Sequence, residues 1–444
     1  MSTWVDDASA SLLTDLYELT MAAGYVDAGI DGGEAAFELF VRRLPDTRRF
    51  LVACGIEQAV HFLTTLRFDD DAVAYLRSLG LFGEAFLERL RGLRFTGNVH
   101  AVAEGEVVFA GEPILRVSAP LLEAQLVETF LLATVGFQTM VASKAARVVL
   151  AAGGRDVADF SARRDHGPDA ALKAARASYV AGAASTSNVL AGRLWGIPLS
   201  GTMAHAYVMA FADEREAFRR FAASFPERAV LLIDTYDTVR GAERVVEVAR
   251  EGAAVAGVRL DSGDLDDLSR RVRRVLDDGG LQHVRIVVSG DLDEHRVDAL
   301  VRAGAPIDAF GVGTRMGTSE DAPSLGVVYK LVADPSGPRM KRSEGKATIP
   351  GCKQVHRFDD HDLLALDGEA PVGGRPLLSP VVEGGRRLRA PEPLTAVRAR
   401  AGAAIAALPE ALRTLDPGPS PWEVRVSPGL AELRRRVEAM LPAG

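Results

Sequence analysis

Short apolar runs alternate with amphipathic windows from residue 154 to residue 310. Six apolar or β-branched runs predict strands, at 156–160, 197–200, 229–233, 256–260, 284–288 and 307–310. Amphipathic windows with helical periodicity separate most of them, at 169–181, 242–251, 265–276 and 293–303. Repeated strand–helix units form parallel sheets. The pattern therefore predicts an irregular (β/α) barrel, and periodicity alone leaves a doubly wound sheet open as the alternative.

A different pattern fills the first 120 residues. Helical periodicity predicts helices over 11–30, 55–66, 70–79 and 82–90. Between Gly97 and Ala119, three short β-type runs are separated by turns, which predicts a small antiparallel meander. We therefore expect a separate α+β domain, formed by the N-terminal region and C-terminal segments. The expected domains are 1–125 (N-terminal α+β), 126–325 (barrel) and 326–444 (a C-terminal segment returning to pack on the N-terminal domain).

Composition is typical of a soluble protein with more than one domain. The chain has 444 residues, 48% hydrophobic and 25% charged, and its formal net charge is -8. This negative charge argues against a nucleic-acid or anionic-membrane binder. Two cysteines, Cys54 and Cys352, cannot build a disulfide framework or a four-cysteine zinc site, so we expect a cytoplasmic setting. Polar residues interrupt the most apolar stretch, 121–152, which predicts a buried helical region rather than a membrane span.

A single histidine, His205, follows the second predicted strand within the segment Gly201–Phe211. Small neighbouring residues leave room beside its ring for a group as large as a phosphoryl. Neutral imidazole is a competent nucleophile near pH 7. The alternative for a lone histidine is a structural hydrogen bond in the core. The residues at the other strand ends favour the nucleophile over this structural interpretation.

Polar side chains also follow the other predicted strands, where a parallel barrel places its working residues. The aromatic Phe160 follows the first strand, together with Arg163 and Arg164, which can bind a phosphate or carboxylate in bidentate fashion. After the fourth strand, Arg259 and Asp261 share a face by period-two alternation. The structural alternatives are a solvated charged loop in the first case and an ion pair in the second.

Glycine-containing turns follow the last two predicted strands, at Ser289–Asp291 and Gly311–Thr314. Glycines let backbone N–H groups approach phosphate oxygens closely, because no side chain blocks them. No Gly-X-Gly-X-X-Gly opens a helix here. The two turns therefore favour a sugar phosphate over a dinucleotide.

Together these residues resemble the nicotinate phosphoribosyltransferases, the ATP-assisted type II phosphoribosyltransferases. The resemblance covers about residues 11–357 and consists of short segments in one order. Each segment alone is weak, but all of them in order are specific. They are Leu13–Met21, Phe37–Phe40, Phe160–Arg164, Ser185–Asn188, Gly201–Phe211, Val258–Gly263, Phe310–Thr314, Pro323–Gly326, Val328–Lys330, Lys341–Glu344, Lys346 and Pro350–Lys353.

The resemblance implies a reaction in NAD salvage. The family joins nicotinate to 5-phosphoribosyl 1-diphosphate, with ATP hydrolysis coupled through a phosphohistidine, and His205 matches that histidine. The implied cofactor is Mg²⁺, with ATP as co-substrate. The implied assembly is a head-to-tail homodimer with shared active sites, with no nucleic-acid or membrane partner.

The resemblance also implies roles for substrate-binding residues. Arg259 matches the arginine that holds the nicotinate carboxylate, Phe160 an aromatic that stacks on the pyridine ring, and Tyr17 an aromatic from the neighbouring subunit. The other implied contacts surround the phosphoribosyl group. They are Thr202 near both substrates, Ser289, Gly290, Gly311, Gly313 and Thr314 on the 5′-phosphate side, and Asp261 and Asp264 at ribose hydroxyls or Mg²⁺.

Two features depart from the family pattern. Ala206 stands where many members carry serine after the histidine, which removes a local hydroxyl but not the nucleophile. A cysteine-rich zinc feature of some relatives is absent. Three alternatives stay open: a relative that uses nicotinamide, a quinolinate phosphoribosyltransferase, which calls for a denser basic cluster, and a non-catalytic barrel that binds a sugar phosphate and has no use for His205.

Overall fold

A computed structural model describes residues 5–343, 346–369, 373–416, 418 and 420–441. The chain folds into two compact units, the first formed by Met1–Met140 with Ser324–Gly444 and the second by Val141–Pro323. Glu344, at the end of the family segment Lys341–Glu344, lies outside the described residues.

The helices and strands follow one another along the chain in three stretches. Up to residue 151 they are α1 Leu16–Asp27, β1 Glu34–Val41, β2 Leu51–Val52, α2 Ile56–Thr65, α3 Asp70–Ser78, α4 Glu84–Arg91, β3 Asn98–Val102, β4 Val107–Val108, β5 Pro113–Pro120, α5 Leu121–Leu126 and α6 Glu128–Ala151. The next stretch contains β6 Asp156–Asp159, α7 Pro168–Val180, β7 Ser185–Thr186, α8 Val189–Trp195, α9 His205–Met209, α10 Glu214–Ser224, β8 Val230–Leu232, α11 Thr238–Arg250, β9 Gly257–Leu260, α12 Leu265–Asp278, β10 Arg285–Val288, α13 Glu294–Arg302, β11 Ala309–Val312 and α14 Thr314–Gly317. The last stretch contains β12 Val327–Asp334, β13 Gly337–Pro338, β14 Lys353–Arg357, β15 His361–Leu366, β16 Arg375–Pro376, β17 Leu378–Glu383, β18 Arg386–Arg387, α15 Leu394–Ala406, β19 Glu423–Val426 and α16 Pro428–Met440.

The sheet of the second unit has the connectivity of a barrel. Its strands are all parallel and pair in the order β7-β6-β11-β10-β9-β8. The first strand, β6, therefore lies beside the last, β11, whereas the usual doubly wound orders place the first strand beside a middle one. An isolated parallel bridge between Thr186 and Leu199 extends the ring beyond β7. The predicted irregular barrel is confirmed, and the doubly wound alternative is wrong.

The ring is irregular at its second position. The predicted strand at 197–200 forms only this single bridge, and β7, which the pattern did not predict, pairs with β6. Pro198 has no backbone N–H, so the run can pair only in part. The Pro198 carbonyl accepts a hydrogen bond from the Thr186 N–H at 3.0 Å, and the Ser200 N–H donates to the Thr186 carbonyl at 3.0 Å. Ser185–Thr186 is too short and polar to give a strand signal in the sequence.

Aspartate side chains cap the N-termini of four helices of the second unit. Each accepts from a backbone N–H of the first turn, the arrangement that satisfies otherwise unpaired donors there. The capping residues are Asp213 for α10, Asp237 for α11, Asp264 for α12 and Asp293 for α13.

The first unit is built on a seven-stranded antiparallel sheet with the order β13-β12-β1-β5-β3-β17-β18 among the described residues. Its interior strand β1 is buried along most of its length, and there the Glu38 carboxylate lies 2.6 Å from the Lys353 ammonium. The observed pairing differs from the predicted meander at 97–119. β3 and β5 pair directly, and the two-residue β4 instead pairs with β2 in a separate sheet.

The C-terminal segment adds regular structure to the first unit. β14, β15, β16 and β19 form a four-stranded sheet in the order β16-β14-β15-β19. Val355, Leu364 and Leu430 from this segment join the same buried apolar core as Phe37 and Leu115. In the described part of the chain, no helix combines the length and hydrophobicity that a bilayer crossing requires.

Candidate active site

The ring of Phe160 lies directly against the glycine turn after β11. Its backbone N–H donates to the Val312 carbonyl at 2.8 Å, which continues the pairing of β6 with β11. A Cβ atom on Gly311 would lie 2.5 Å from Cε2 of the Phe160 ring, and one on Gly313 would lie 3.1 Å from the Phe160 carbonyl oxygen. A side chain at Gly311 would therefore displace the Phe160 ring, and one at Gly313 would press against the Phe160 carbonyl. The structure thus gives these two positions a packing reason in addition to the predicted phosphate contact.

The guanidinium of Arg259 points to the segment that precedes His205. Its Nη1 donates to Thr202 Oγ1 at 3.1 Å and to the Met203 carbonyl at 3.3 Å. Its Nη2 is 3.8 Å from Asp261 Oδ1, which is a looser contact than a hydrogen bond. Only 13% of the side chain is exposed. Burial lowers the pKa of Arg259, the carboxylates of Asp261 and Asp234 oppose that shift, and the nearby charge of Arg163 adds to it.

The Nε atom of Arg259 is buried and has no hydrogen-bond partner in the second unit, all of whose residues are described. A buried donor without a partner is costly unless a ligand satisfies it. Arg259 therefore has unused donor capacity in a partly desolvated place, which suits the recognition of a carboxylate.

His205 begins α9 and is held at one ring nitrogen. Its Nδ1 is 3.1 Å from Thr235 Oγ1, and its Nε2 is 4.0 Å from Asp261 Oδ2. The side chain is 39% exposed. The ring is thus oriented from one side, with Nε2 directed toward the carboxylate and accessible to a reactant.

Asp261 connects His205 to the glycine turn after β10. The Ser289 hydroxyl donates to Asp261 Oδ1, and the Asp261 N–H donates to Asp234 Oδ2 at 2.8 Å. Gly290 has φ +94°, and a Cβ there would lie 1.9 Å from the Asp261 carbonyl oxygen. Any side chain at Gly290 would therefore displace the backbone of Asp261. The predicted site residues His205, Arg259, Asp261 and Ser289 thus lie in one continuous set of contacts.

Other predicted residues lie further from this set or have an additional role. Asp264 accepts from the N–H groups of Asp266 and Asp267 as the cap of α12, so part of its hydrogen-bonding capacity serves the helix. Thr314 is the first residue of the short α14. Arg163 is exposed on the turn after Phe160.

Tyr17 belongs to the first unit and lies on α1. It is 46% exposed. Burial of its hydroxyl, followed by the charges of Glu128 and Glu18, raises the Tyr17 pKa, so the hydroxyl stays protonated. An exposed aromatic ring with a protonated hydroxyl is suited to contact another molecule.

Several residues that build the site follow predicted strands but were not among the predicted site residues. Thr235 holds the histidine, and Asp234 accepts from both the Asp261 N–H and the Ser262 hydroxyl. Asp159, Ser161 and Asp165 form a hydrogen-bonded chain at the turn after β6. The available signal was position, since these residues also follow barrel strands.

No group of three or more His, Cys, Asp or Glu side chains among the described residues is arranged to hold a metal ion by itself. Asp234 Oδ1 is nevertheless buried without a hydrogen-bond partner, and Asp261 lies beside it in the same contact set. One or two carboxylates together with substrate phosphates are the usual ligands of Mg²⁺. The donor set therefore fits Mg²⁺ that arrives with a phosphorylated substrate.

Comparison with known proteins covers both units. The family of nicotinate phosphoribosyltransferase N-terminal domains matches residues 12–136, and the family of quinolinate phosphoribosyl transferase C-terminal domains matches residues 141–321. The chain is similar in structure to human nicotinic acid phosphoribosyltransferase, with a TM-score of 0.83, 33% identity and coverage of 96% of this chain and 99% of that one. It is also similar to nicotinate-nucleotide pyrophosphorylase from Pyrococcus furiosus, with a TM-score of 0.76, 25% identity and coverage of 92% and 99%.

Two bacterial relatives extend the comparison along the sequence. Nicotinate phosphoribosyltransferase pncB2 of Mycobacterium tuberculosis (strain ATCC 25618 / H37Rv) is 50% identical over 426 residues, which is 94% of this chain and 91% of the relative. Nicotinate phosphoribosyltransferase of Bacillus subtilis (strain 168) is 45% identical over 373 residues, which is 82% and 76% of the two chains. The resemblance seen in the sequence is confirmed, and the chain belongs to the nicotinate phosphoribosyltransferase family.

Proposed function

We propose that this enzyme is a nicotinate phosphoribosyltransferase that couples transfer to ATP hydrolysis through a phosphohistidine at His205. The reaction converts nicotinate, 5-phosphoribosyl 1-diphosphate, ATP and water into nicotinate mononucleotide, diphosphate, ADP and phosphate. One observation carries the proposal: His205 Nε2 lies 4.0 Å from Asp261, which hydrogen-bonds to Ser289 at a glycine turn. Family membership and the names of the relatives support the same activity.

Nicotinate binds through its ring and its carboxylate. The ring of Phe160 provides a stacking surface, and the buried guanidinium of Arg259 provides donors for a carboxylate while Thr202 holds its Nη1. A neutral amide in place of the carboxylate would make weaker use of Arg259, because the ion pair between guanidinium and carboxylate would be lost. This arrangement favours nicotinate over nicotinamide.

The phosphoribosyl group binds across the glycine turns. The 5′-phosphate side consists of Ser289, Gly290, Gly311, Gly313 and Thr314, and the exposed Arg163 adds a positive charge. Asp261, with Asp264 at the start of α12, faces the ribose hydroxyls. Positive charge develops on the sugar ring as the diphosphate is displaced. These residues contribute by positioning the two reactants in line.

Asp261 and Asp234 are the carboxylates that would hold Mg²⁺ beside the substrate phosphates. When bound, Mg²⁺ supplies positive charge that stabilises the leaving diphosphate. The buried oxygen of Asp234 that lacks a partner would then gain one.

His205 acts as the nucleophile toward ATP. With Nδ1–H donating to Thr235, the lone pair stays on Nε2, which attacks the γ-phosphorus of ATP as the bond to the ADP oxygen breaks. Water later attacks the phosphorus of phosphohistidine, so that the imidazole leaves and phosphate is released. The carboxylate of Asp261 stabilises the positive imidazole ring that forms in between.

The proposal includes a head-to-tail homodimer in which a second copy contributes Tyr17 to the site. The exposed, protonated Tyr17 suits that role. Size-exclusion chromatography with light scattering measures the assembly, and mixed dimers of a Tyr17→Ala chain with a His205→Asn chain would regain one intact site if the sites are shared.

The deciding experiment is a product assay with matched substrates. The purified enzyme is incubated with phosphoribosyl diphosphate, Mg²⁺ and one of nicotinate, nicotinamide or quinolinate, with and without ATP, and mononucleotide is quantified. The proposal predicts turnover of nicotinate that ATP stimulates. Turnover of quinolinate with release of carbon dioxide would instead favour the activity suggested by the match of residues 141–321. No turnover of any substrate would favour a binding protein.

A further inference from the structure

The turn that carries Phe160 and Arg163 is tied down by one buried hydroxyl. Ser161 is fully buried, and its Oγ lies 2.6 Å from Asp159 Oδ1 and 3.0 Å from Asp165 Oδ2. A hydroxyl has a single proton, so it can donate to only one of these carboxyl groups. The second contact is a hydrogen bond only if that carboxyl group carries a proton of its own.

The surroundings of the two carboxyl groups differ. Asp159 also accepts from the Ser161 N–H at 3.0 Å and from Thr186 Oγ1 at 2.8 Å, so three donors favour its ionised form. Burial raises the Asp159 pKa, and these donors offset only part of that rise. Asp165 has one oxygen, Oδ1, that is buried without a partner in the fully described second unit. Burial raises the pKa of Asp165 to about 6.

Asp165 also packs against the helix on the phosphate side of the proposed site. A Cβ on Gly317 of α14 would lie 2.1 Å from Asp165 Oδ1 and 2.3 Å from Ser161 Cβ. α14 begins at Thr314, so the carboxyl group of Asp165 lies between the turn bearing Phe160 and the helix bearing Thr314. A change at Asp165 therefore reaches both.

We propose that Ser161 and protonated Asp165 are positioning residues for the proposed transfer reaction, because Asp165 donates to Ser161, Ser161 donates to Asp159, and this chain fixes the turn of Phe160 and Arg163 against α14. This proposal rests on the proposed function. Loss of the Asp165 proton breaks one hydrogen bond and sets two carboxylates against the same hydroxyl. The turn then loosens, and binding of nicotinate and phosphoribosyl diphosphate weakens as the pH rises.

Few charged or titratable groups face Asp165. After burial, the hydrogen bond with Ser161 lowers the Asp165 pKa, Asp159 on β6 raises it, and His166 on the same turn lowers it. On α14, Arg315 is 2.6 Å from Asp293 and 3.1 Å from Glu320. The groove beside Asp165 is lined by Arg163 and otherwise by uncharged residues of the turn, α7 and the start of α8.

The test compares Asp165→Asn, Ser161→Ala and the control Asp169→Asn across pH 5.5 to 8. An asparagine at 165 donates an amide N–H to Ser161 at every pH, and Asp169 is an exposed residue of α7 paired with Lys173. The KM for phosphoribosyl diphosphate should rise about threefold to tenfold with pH in the wild type, as for loss of one hydrogen bond. It should stay low in Asp165→Asn and high at all pH values in Ser161→Ala. Asp169→Asn should follow the wild type.

Thermal unfolding provides a readout that does not need activity. The Asp165 pKa is raised in the folded protein, so its contribution to stability is complete at low pH and is lost as the pH rises through about 6. The Tm of Asp165→Asn minus the Tm of the wild type should therefore be larger at pH 8 than at pH 5. The proposal would be overturned if KM changed with pH in the same way in the wild type and Asp165→Asn, and if their Tm difference were the same at pH 5 and pH 8. If neither the wild type nor any variant makes mononucleotide, the proposed function fails, while the Tm comparison still decides the protonation of Asp165.

Discussion

Two groups of charged residues in the second unit differ in how completely they are paired. The site cluster consists of His205, Arg259 and Asp261, and its contacts of 3.8 and 4.0 Å are loose. The buried network consists of Lys144, Arg147, Glu294 and Asp321, and its ion pairs measure 2.5, 2.8 and 3.0 Å.

This difference distinguishes residues that are available to bind a ligand from residues that stabilise the fold. In the network, Lys144 is 3% exposed and Glu294 is fully buried, so each charge depends on the other. In the site cluster, Arg259 keeps an unpartnered donor and His205 is partly open to solvent. Substitutions in the buried network should change stability, and substitutions in the site cluster should change activity.

His205→Asn should give the largest effect on activity. Loss of the nucleophile should remove ATP-dependent turnover by roughly 10³-fold or more, because no other group can form the phosphoryl intermediate. Incubation with γ-labelled ATP should leave an acid-labile, base-stable label on the wild type and none on the variant. Its Tm should match the wild type, and a label that persists on the variant would exclude His205 as the nucleophile.

Lys144→Met should give the largest effect on stability. Glu294 would keep its buried charge with Arg147 as its remaining cationic partner, so the free energy of unfolding should fall by at most the roughly 3–5 kcal/mol typical of a broken buried ion pair. Denaturant titration measures this, and the control Lys173→Met, which removes a more exposed pair with Asp169, should cost at most about 0.5 kcal/mol. Equal losses in both variants would mean that the network does not differ from a surface pair.

The pH dependence of the network has a definite sign. Burial raises the pKa of Glu294, but the charge and hydrogen bond of Lys144, together with hydrogen bonds from the backbone and Arg147, hold that pKa below its ordinary value. A lowered pKa contributes stability above the unfolded value, which is lost as the pH falls through the folded one. The stability difference between Lys144→Met and the wild type should therefore shrink in acid.

Arg259→Ala tests the carboxylate contact within the site cluster. Removal of a charge-assisted hydrogen bond costs about 1.5–3 kcal/mol, so kcat/KM for nicotinate should fall roughly 10- to 100-fold. Any turnover of nicotinamide should change much less, since its amide carries no charge. An equal loss for both substrates would show that Arg259 shapes the site without reading the carboxylate.

Most of the fold and part of the site could be predicted from the sequence. The alternation of apolar runs and amphipathic windows predicted the barrel, because each apolar run bounded by a polar loop indicates one strand of a repeated strand–helix unit. β7 escaped because Ser185–Thr186 is short and polar, and the 197–200 run was interpreted too strongly because Pro198 limits its pairing. The motifs identified the family, which the relatives confirm.

What the sequence could not provide is the contact between one strand end and the next. Period-two alternation placed Arg259 beside Asp261, but nothing in one sequence shows that Asp261 bonds to Ser289 or that Thr235 bonds to His205. The glycines at 290, 311 and 313 were interpreted as room for a phosphate. The structure adds that Phe160 and the Asp261 backbone also need that room.

The smallest expected effect, at Thr235, gives the finest test of the comparison. Thr235→Val keeps the shape of the side chain but removes the hydroxyl that holds His205 Nδ1 at 3.1 Å. One neutral hydrogen bond contributes about 0.5–1.5 kcal/mol, so the rate of histidine phosphorylation should fall about 2- to 10-fold. Unfolding should be unaffected, because Thr235 is outside the buried network. A loss of stability without a change in the phosphorylation rate would place Thr235 with the residues that hold the fold, and the tautomer of His205 would then need another explanation.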